Sequence, residues 1–288
     1  MSSSDGAGRT PSWPDIRAFA EHAEAAGLDS VWVCDHFFGS MPGAPPEGVH
    51  EAWTLATALA TATKRVEIGQ LVTCATYRNP GLLAKMAVTA DAVSGGRLLL
   101  GLGAGWHDTE YAAFGYPTDH RVSRLEEVLE IVVPLLRGET VSFAGRFHGV
   151  VDAVLLPPPD RRIPLLVAGN GPRMLRLTAR HAEAWNTAWF AGPDERLRER
   201  VAALESALGE EGRDPSTLRR TVGMYVADPA VAPDESEAFT GSVDDLAETL
   251  TRFGELGFAD VIAVLEPMNE RSLDRLAEAR NLVISPKP

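Results

Sequence analysis

The sequence predicts a (β/α)8 barrel, the TIM-barrel fold, and three observations carry the prediction. Short β-rich runs alternate with helix-length amphipathic runs along most of the chain, the pattern of βα units around a parallel sheet. Seven strands and eight helices can be counted, one strand short of a closed barrel. The 288 residues also suit a barrel of about 250 residues carrying an insertion. The expectation is one domain over 1–288, with a polar, disordered start at 1–12 and a weak or absent first strand, because 1–13 hold no β-like run. A doubly wound open sheet is the alternative.

The elements follow in order. PDIRAFAEHAEAAG (14–27) reads as a helix, opened by proline and stopped by Gly27. DSVWVCDH (29–36) is a strand, 50–63 a helix and RVEIGQLVT (65–73) a strand. Residues 79–96 form a helix that Gly95 and Gly96 end, and RLLLGLGAG (97–105) is the next strand. Residues 121–138 are an amphipathic helix. Residues 138–163 break the rhythm and read as an insertion hairpin with a proline-rich exit. IPLLVAGN, AEAWNTAW, RRTVGMYVA and FADVIAVLE are the remaining strands, separated and followed by helices. Residues 227–241 form a polar, proline-rich loop.

The strand at 97–105 carries three glycines at alternate positions, 101, 103 and 105. The Rossmann fingerprint G-x-G-x-x-G is a different spacing. Alternation at period two places these glycines on one face of a strand, where a ligand or another backbone comes close. Ligand approach is the favoured reading and relief of crowding inside the barrel the other.

Composition narrows the function. The net charge of −13 and the pI near 5.0 argue against a nucleic-acid surface. Two cysteines, Cys34 and Cys74, make no disulfide framework and fit a reducing, cytoplasmic setting. No apolar run reaches the roughly 20 residues of a spanning helix. The seven histidines form no H-x-H or H-E-x-x-H pattern, so no metal site is expected. A hydrolase elbow G-x-S-x-G is missing as well.

DSVWVCDHFF, RVEIGQLVTCATYRNPGLLAKMAVTADAVSGGRLLLGLGAGW and IPLLVAGNGPRMLRLTARHAEAWN resemble the luciferase-like monooxygenase superfamily, and within it the deazaflavin (coenzyme F420) oxidoreductases. The resemblance runs in order over residues 13–283. It implies a barrel, a homodimer, a small-molecule substrate, and F420 or, alternatively, FMN at the C-terminal mouth. A reduced-FMN monooxygenase and a non-catalytic flavin-binding protein stay open beside a hydride-transferring oxidoreductase.

The resemblance also points to residues. It places His36, with Asp35, beside the reactive ring, where a histidine can polarise a substrate or pass a proton. It places a bulge with a cis peptide, Leu71–Val72, behind the ring, followed by Thr73 and Cys74. Gly103, Ala104, Gly105 and Trp106 would lie along the ring. Ala168, Gly169, Asn170 and Gly171, ahead of a helix that begins at Pro172, would hold the cofactor phosphate with help from Arg173. Trp185 and Asn186 would pack near that site. Ser40, Trp106, His107 and Tyr111 would line the substrate pocket. Sugar-phosphate dehydrogenases of the family carry glutamate where this chain has Trp106 and tryptophan where it has Ser40. Both departures speak for an apolar pocket, and leave proton transfer to His36, His107 or Tyr111.

Overall fold

Seven strands pair side by side in the order in which the chain makes them: β1 (Ser30–Val33), β2 (Glu67–Gln70), β3 (Leu98–Gly103), β4 (Leu165–Ala168), β5 (Ala184–Phe190), β6 (Arg219–Ala227) and β7 (Asp260–Glu266). Every pair is parallel. A short eighth strand, Thr73–Cys74, joins Leu102 and Gly103 at the top of β3. The computed structural model describes residues 10–39, 46–230 and 238–284. Chain-order neighbours exclude the doubly wound sheet, whose strand order reverses at a switch point.

Among the described residues β1 and β7 are not paired, so the barrel is nearly closed. Helices α1 (Trp13–Ala25) and α9 (Glu270–Ile284) lie across this gap. There Arg280 grips Asp29 with two bonds of 2.7 and 2.9 Å, and His22 meets Asp274 at 2.7 Å. The helices between them are α2 (Ala52–Ala62), α3 (Pro80–Ser94), α4 (Asp108–Phe114), α5 (Arg121–Leu136), α6 (Pro172–His181), α7 (Glu195–Glu210) and α8 (Val243–Glu255). Helix α4 is an addition to the predicted set. The insertion is a hairpin, Val141–Ala144 against Gly149–Ala153.

The polar start needs a correction at its end. Ser12 and Asp15 form a capping box at α1, the Thr10 hydroxyl donates to the Gly48 carbonyl, and His50 bonds the Pro11 carbonyl. Residues 10–12 are therefore held in place. The rest of that expectation, 1–9, lies outside the described residues.

Strand β3 shows how the barrel is filled. Leu98, Leu100 and Leu102 face the helical layer and pack with α3 and α5 residues such as Leu83, Val128 and Val132. Leu99 faces inward, with Leu166, Ala184, Trp32, Leu71 and Val72. Gly101 and Gly103 share the parity of Leu99, so they face the interior. A Cβ on Gly101 would fall 1.9 Å from the Gln70 carbonyl oxygen, and one on Gly103 2.5 Å from Val72 Cγ2. A Cβ on Gly105 would strike the Tyr111 hydroxyl and Cys74 Sγ. The glycines thus make room for neighbouring protein, and the expectation of direct ligand approach yields to the crowding it was weighed against.

Two arginines hold the opposite end of the barrel. Arg97 spends five side-chain bonds on Ala60, Thr63, Val66 and Ser94, around the C-termini of α2 and α3. Arg213 bonds the carbonyls of Thr178, Ala179 and Ala182 at the end of α6, and Thr217. A guanidinium offers five donors in a fixed fork, and helix C-termini present unpaired carbonyls.

Candidate active site

The C-terminal ends of β1, β2 and β3 and helix α4 converge on one buried carboxylate. Glu110 on α4 is 0% exposed. Its Oε1 accepts the backbone N–H groups of Phe37 (2.6 Å) and Phe38 (3.1 Å). Its Oε2 lies 2.8 Å from His36 Nδ1 and accepts the Tyr77 hydroxyl at 3.1 Å. Burial pushes the Glu110 pKa up. The His36 hydrogen bond, the Phe38 and Phe37 N–H groups and the His36 charge outweigh that, and hold it below the usual carboxylate range. Burial, followed by the negative groups around it, pushes the Tyr77 phenol up, so it stays a donor.

His36 is partly exposed, with Trp106 (ring centres 5.6 Å apart) and His107 (5.8 Å) edge-on beside it. Trp106 is 67% exposed. An aromatic wall continues from this corner: Phe37 stacks on Phe114 at 4.1 Å, and Tyr77 and Tyr116 close behind.

The other predicted catalytic residue, Asp35, has a different job. Arg78 grips it with Nη1 to Oδ2 at 2.6 Å and Nη2 to Oδ1 at 2.9 Å. The Cys74 N–H donates to Oδ2 at 2.8 Å. Asp35 is buried, and these bonds tie the end of β1 to the Thr73–Cys74 strand. The correction is from chemistry to positioning.

Two predicted pocket residues are also corrected. Tyr111 is 0% exposed; its hydroxyl bonds Cys74 Sγ (3.0 Å), Thr76 Oγ1 (2.5 Å) and the Ala104 carbonyl (3.2 Å). Burial and then the Cys74 bond push its phenol up, and burial pushes the Cys74 thiol up. Neither is poised to give a proton to a substrate. His107 is buried and caps α4, with Nδ1 accepting the Glu110 N–H at 3.2 Å. Ser40 lies outside the described residues.

Leu71–Val72 is a cis peptide, at the bulge between β2 and Thr73–Cys74. Leu71 and Val72 pack into the inner cluster, and Val72 abuts Gly103. On the same segment the Gln70 amide and the Thr73 hydroxyl are buried without a hydrogen-bond partner.

The loop after β4 is built of small residues. A Cβ on Gly169 would press within 3.1 Å of Met174, and the Gly169 carbonyl accepts the Trp185 indole N–H at 2.9 Å. Gly171 is the N-cap of α6, has no side-chain cap bond, and has open space where a Cβ would be. Arg200 donates to the Thr187 hydroxyl (2.7 Å), which donates to Asn170 Oδ1 (2.7 Å). Asn170 is exposed, and its carbonyl oxygen is thereby engaged while its NH2 is presented. Asn186 is buried beneath, donating to Thr221 at 2.8 Å. Beside α6 a cavity of about 660 Å³ is lined by residues including Asp108, Arg121, Ser123 and Arg173. Arg173 donates to Ser123 at 2.9 Å and pairs with Glu126; Arg121 pairs with Asp108.

Among the described residues no group of three or more His, Cys, Asp and Glu side chains could hold a metal ion. Among them too, no helix is long and apolar enough to cross a membrane. Glu110 is the functional residue that sequence reasoning missed as a partner of His36. Its one signal is the spacing H-D-T-E, in which an acidic residue sits three places after a helix cap.

A parallel barrel with a histidine–carboxylate pair and a loop of small residues ahead of a helix at its C-terminal mouth is the architecture of a TIM-barrel enzyme. The family model described as luciferase-like monooxygenase matches residues 1–280, and the chain belongs to that family. It is 36% identical over 177 residues to an F420-dependent glucose-6-phosphate dehydrogenase of Amycolatopsis mediterranei (strain U-32), covering 59% of this chain and 52% of that one. The match thus spans about half the length of that relative. It is 31% identical to a phthiodiolone/phenolphthiodiolone dimycocerosates ketoreductase of Mycobacterium kansasii, covering 86% of this chain and 71% of that one. Among solved structures it resembles an F420-dependent secondary alcohol dehydrogenase in complex with an F420–acetone adduct, with TM-score 0.82, 23% identity and 94% of each chain covered.

Proposed function

We propose that the protein is an oxidoreductase that moves a hydride between coenzyme F420 and a small, apolar alcohol or ketone. The observation that carries the reading is the His36–Glu110 pair at the end of β1, beside exposed Trp106. The names of the relatives, which are F420-dependent dehydrogenases and a ketoreductase, support the cofactor and the reaction class.

The residues present fit a deazaflavin. Gln70 and Thr73 carry orphaned buried polar atoms on the bulge segment, and such groups call for a partner; a deazaflavin ring offers carbonyl and N–H groups. Leu71, Val72, Thr73, Cys74, Ala104 and Trp106 would lie about the ring, with Gly103 and Gly105 making room behind them for Val72 and for Tyr111 and Cys74. Gly169, Asn170, Gly171 and Arg173 would hold its phosphate, at the uncapped N-terminus of α6. When bound, F420 accepts or supplies the hydride. The protein's part is the proton. As an alcohol carbon gives up its hydride, its hydroxyl proton passes to His36 Nε2, and in the reverse direction His36 returns it to the ketone oxygen. Trp106, Phe37 and Phe114 favour apolar substituents, and Trp106 speaks against a sugar phosphate.

Fluorescence titration with F420 and FMN in parallel tests the cofactor. Tight F420 binding followed by anaerobic turnover of secondary alcohols is the expected result. A preference for FMN with oxygen-dependent product would replace this reading with a monooxygenase, and binding of either without turnover would leave a flavin-binding protein.

The same proposal covers the chain's setting. One domain spans it, the two free cysteines suit the cytoplasm, and a second copy covers the exposed apolar residues Leu82 and Val93 on α3, Val151 on the hairpin and Leu156 just after it. A monomer in sedimentation at micromolar concentration would refute the dimer.

A further inference from the structure

Three groups at the mouth could exchange a proton, and their surroundings separate them. The Tyr111 hydroxyl is spent on Cys74, Thr76 and Ala104. His107 and His36 both approach Glu110, but in opposite senses. His107 Nδ1 is an acceptor, because the Glu110 backbone N–H donates to it. Its ring proton therefore sits on Nε2, and its 3.7 Å approach to Glu110 Oε2 is no hydrogen bond. His36 Nδ1 lies 2.8 Å from a carboxylate whose three other partners, Phe37 N, Phe38 N and the Tyr77 hydroxyl, all donate to it, so it too must carry a proton. In the neutral ring its Nε2 is then left bare.

We infer that Glu110 is the positioning residue of this site: it locks His36 in the Nδ1–H form, so that Nε2 is free to take the substrate proton. The inference rests on the proposed reaction for its kinetic consequence and on the hydrogen bonds alone for the tautomer. The same carboxylate fixes the ring's direction, because Oε1 holds the Phe37 and Phe38 N–H groups that follow His36 in the chain. Four donors converge on Glu110: His36, Tyr77, Phe37 N and Phe38 N. Its two oxygens can serve them all; an amide, with one oxygen and one NH2, cannot. In Glu110→Gln the oxygen that stays with the backbone turns the NH2 toward His36. Nδ1 must then offer a lone pair, and the proton moves to Nε2.

The test is two-armed. Long-range ¹H–¹⁵N spectra of the cofactor-free full chain, taken at the alkaline end of a pH series where the ring signals no longer move, read the tautomer directly, with His36→Ala assigning the signal. The wild type is expected to show Nδ1–H for His36 and Nε2–H for His107, and Glu110→Gln to switch His36 to Nε2–H. Turnover with F420 is expected to fall on the order of 10²-fold in that variant while F420 affinity is kept. A wild-type His36 protonated on Nε2, or an unchanged rate in Glu110→Gln, overturns the inference. The wild-type spectrum decides even if the variant fails to fold. It also decides if no alcohol is turned over, an outcome that counts against the proposed reaction and leaves the tautomer assignment standing.

Discussion

At the ends of β1 and β2 the barrel mouth is made of buried charges that meet in pairs; at the ends of β4 and β5 it is made of bare backbone and small side chains. On the first side Asp35–Arg78 and Glu110–His36 are each closed by further N–H and O–H donors. On the second side Gly169 and Gly171 precede an uncapped helix, and Asn170 is held by the Thr187 hydroxyl, which Arg200 engages in turn. The first side spends its charges on its own geometry and leaves one nitrogen, His36 Nε2, to act. The second side leaves the Asn170 NH2 and the uncapped start of α6 open, which suits an anion brought by a ligand. Substitutions should therefore hurt turnover and stability on the first side and affinity on the second.

The largest expected effect is on turnover. His36→Ala should lower it by about 10²- to 10⁴-fold while F420 binding persists; equal losses in both would erase the distinction between the two sides. Next is Arg78→Ala, which strands buried Asp35 without its partner. Removing one member of a buried pair costs about 3–5 kcal/mol, and with Arg78 slightly exposed the lower end is expected in urea unfolding. Gly103→Ala tests the interior, where its Cβ would lie 2.5 Å from Val72. Overpacking of this kind costs about 1–3 kcal/mol, and a neutral result would return the glycines to the ligand. Acid sensitivity follows from Glu110. Its folded pKa lies below the ordinary 4.5, so its stabilisation is present above that value and lost as pH falls through the folded pKa. Melting temperature should therefore drop below about pH 4.5 by more in the wild type than in Glu110→Gln. The smallest stability effect is Gly171→Asp: a better N-cap, worth a few tenths of a kcal/mol, with F420 affinity falling several-fold because the new charge faces the phosphate. Unchanged affinity would remove the anion site from α6.

The strands were legible as short β-rich runs and the eight helices by their core-facing period, and the insertion was legible because it breaks that rhythm. Helix α4 was hidden by its length: DTEYAAF makes two turns, too few for a period to show. The site was legible where position in a strand decides it, as for His36, and hidden where partners are far apart in the chain. Glu110 lies 74 residues from His36, and Asp35 lies 43 from Arg78; neither spacing carries a local signal. Glycine spacing announced a close approach at β3, but only the folded neighbours, Gln70 and Val72, identify what approaches.

Arg97 and Arg213 bear on how such a barrel could be re-engineered. Each fastens helix ends at the far side from the mouth with a fork of five bonds, and neither touches a residue of the candidate site. A lysine, with three donors on one nitrogen, cannot reproduce that fork. A library that randomises the mouth loops for new substrates can therefore leave these two positions fixed, because they form the chassis on which the variable parts are mounted.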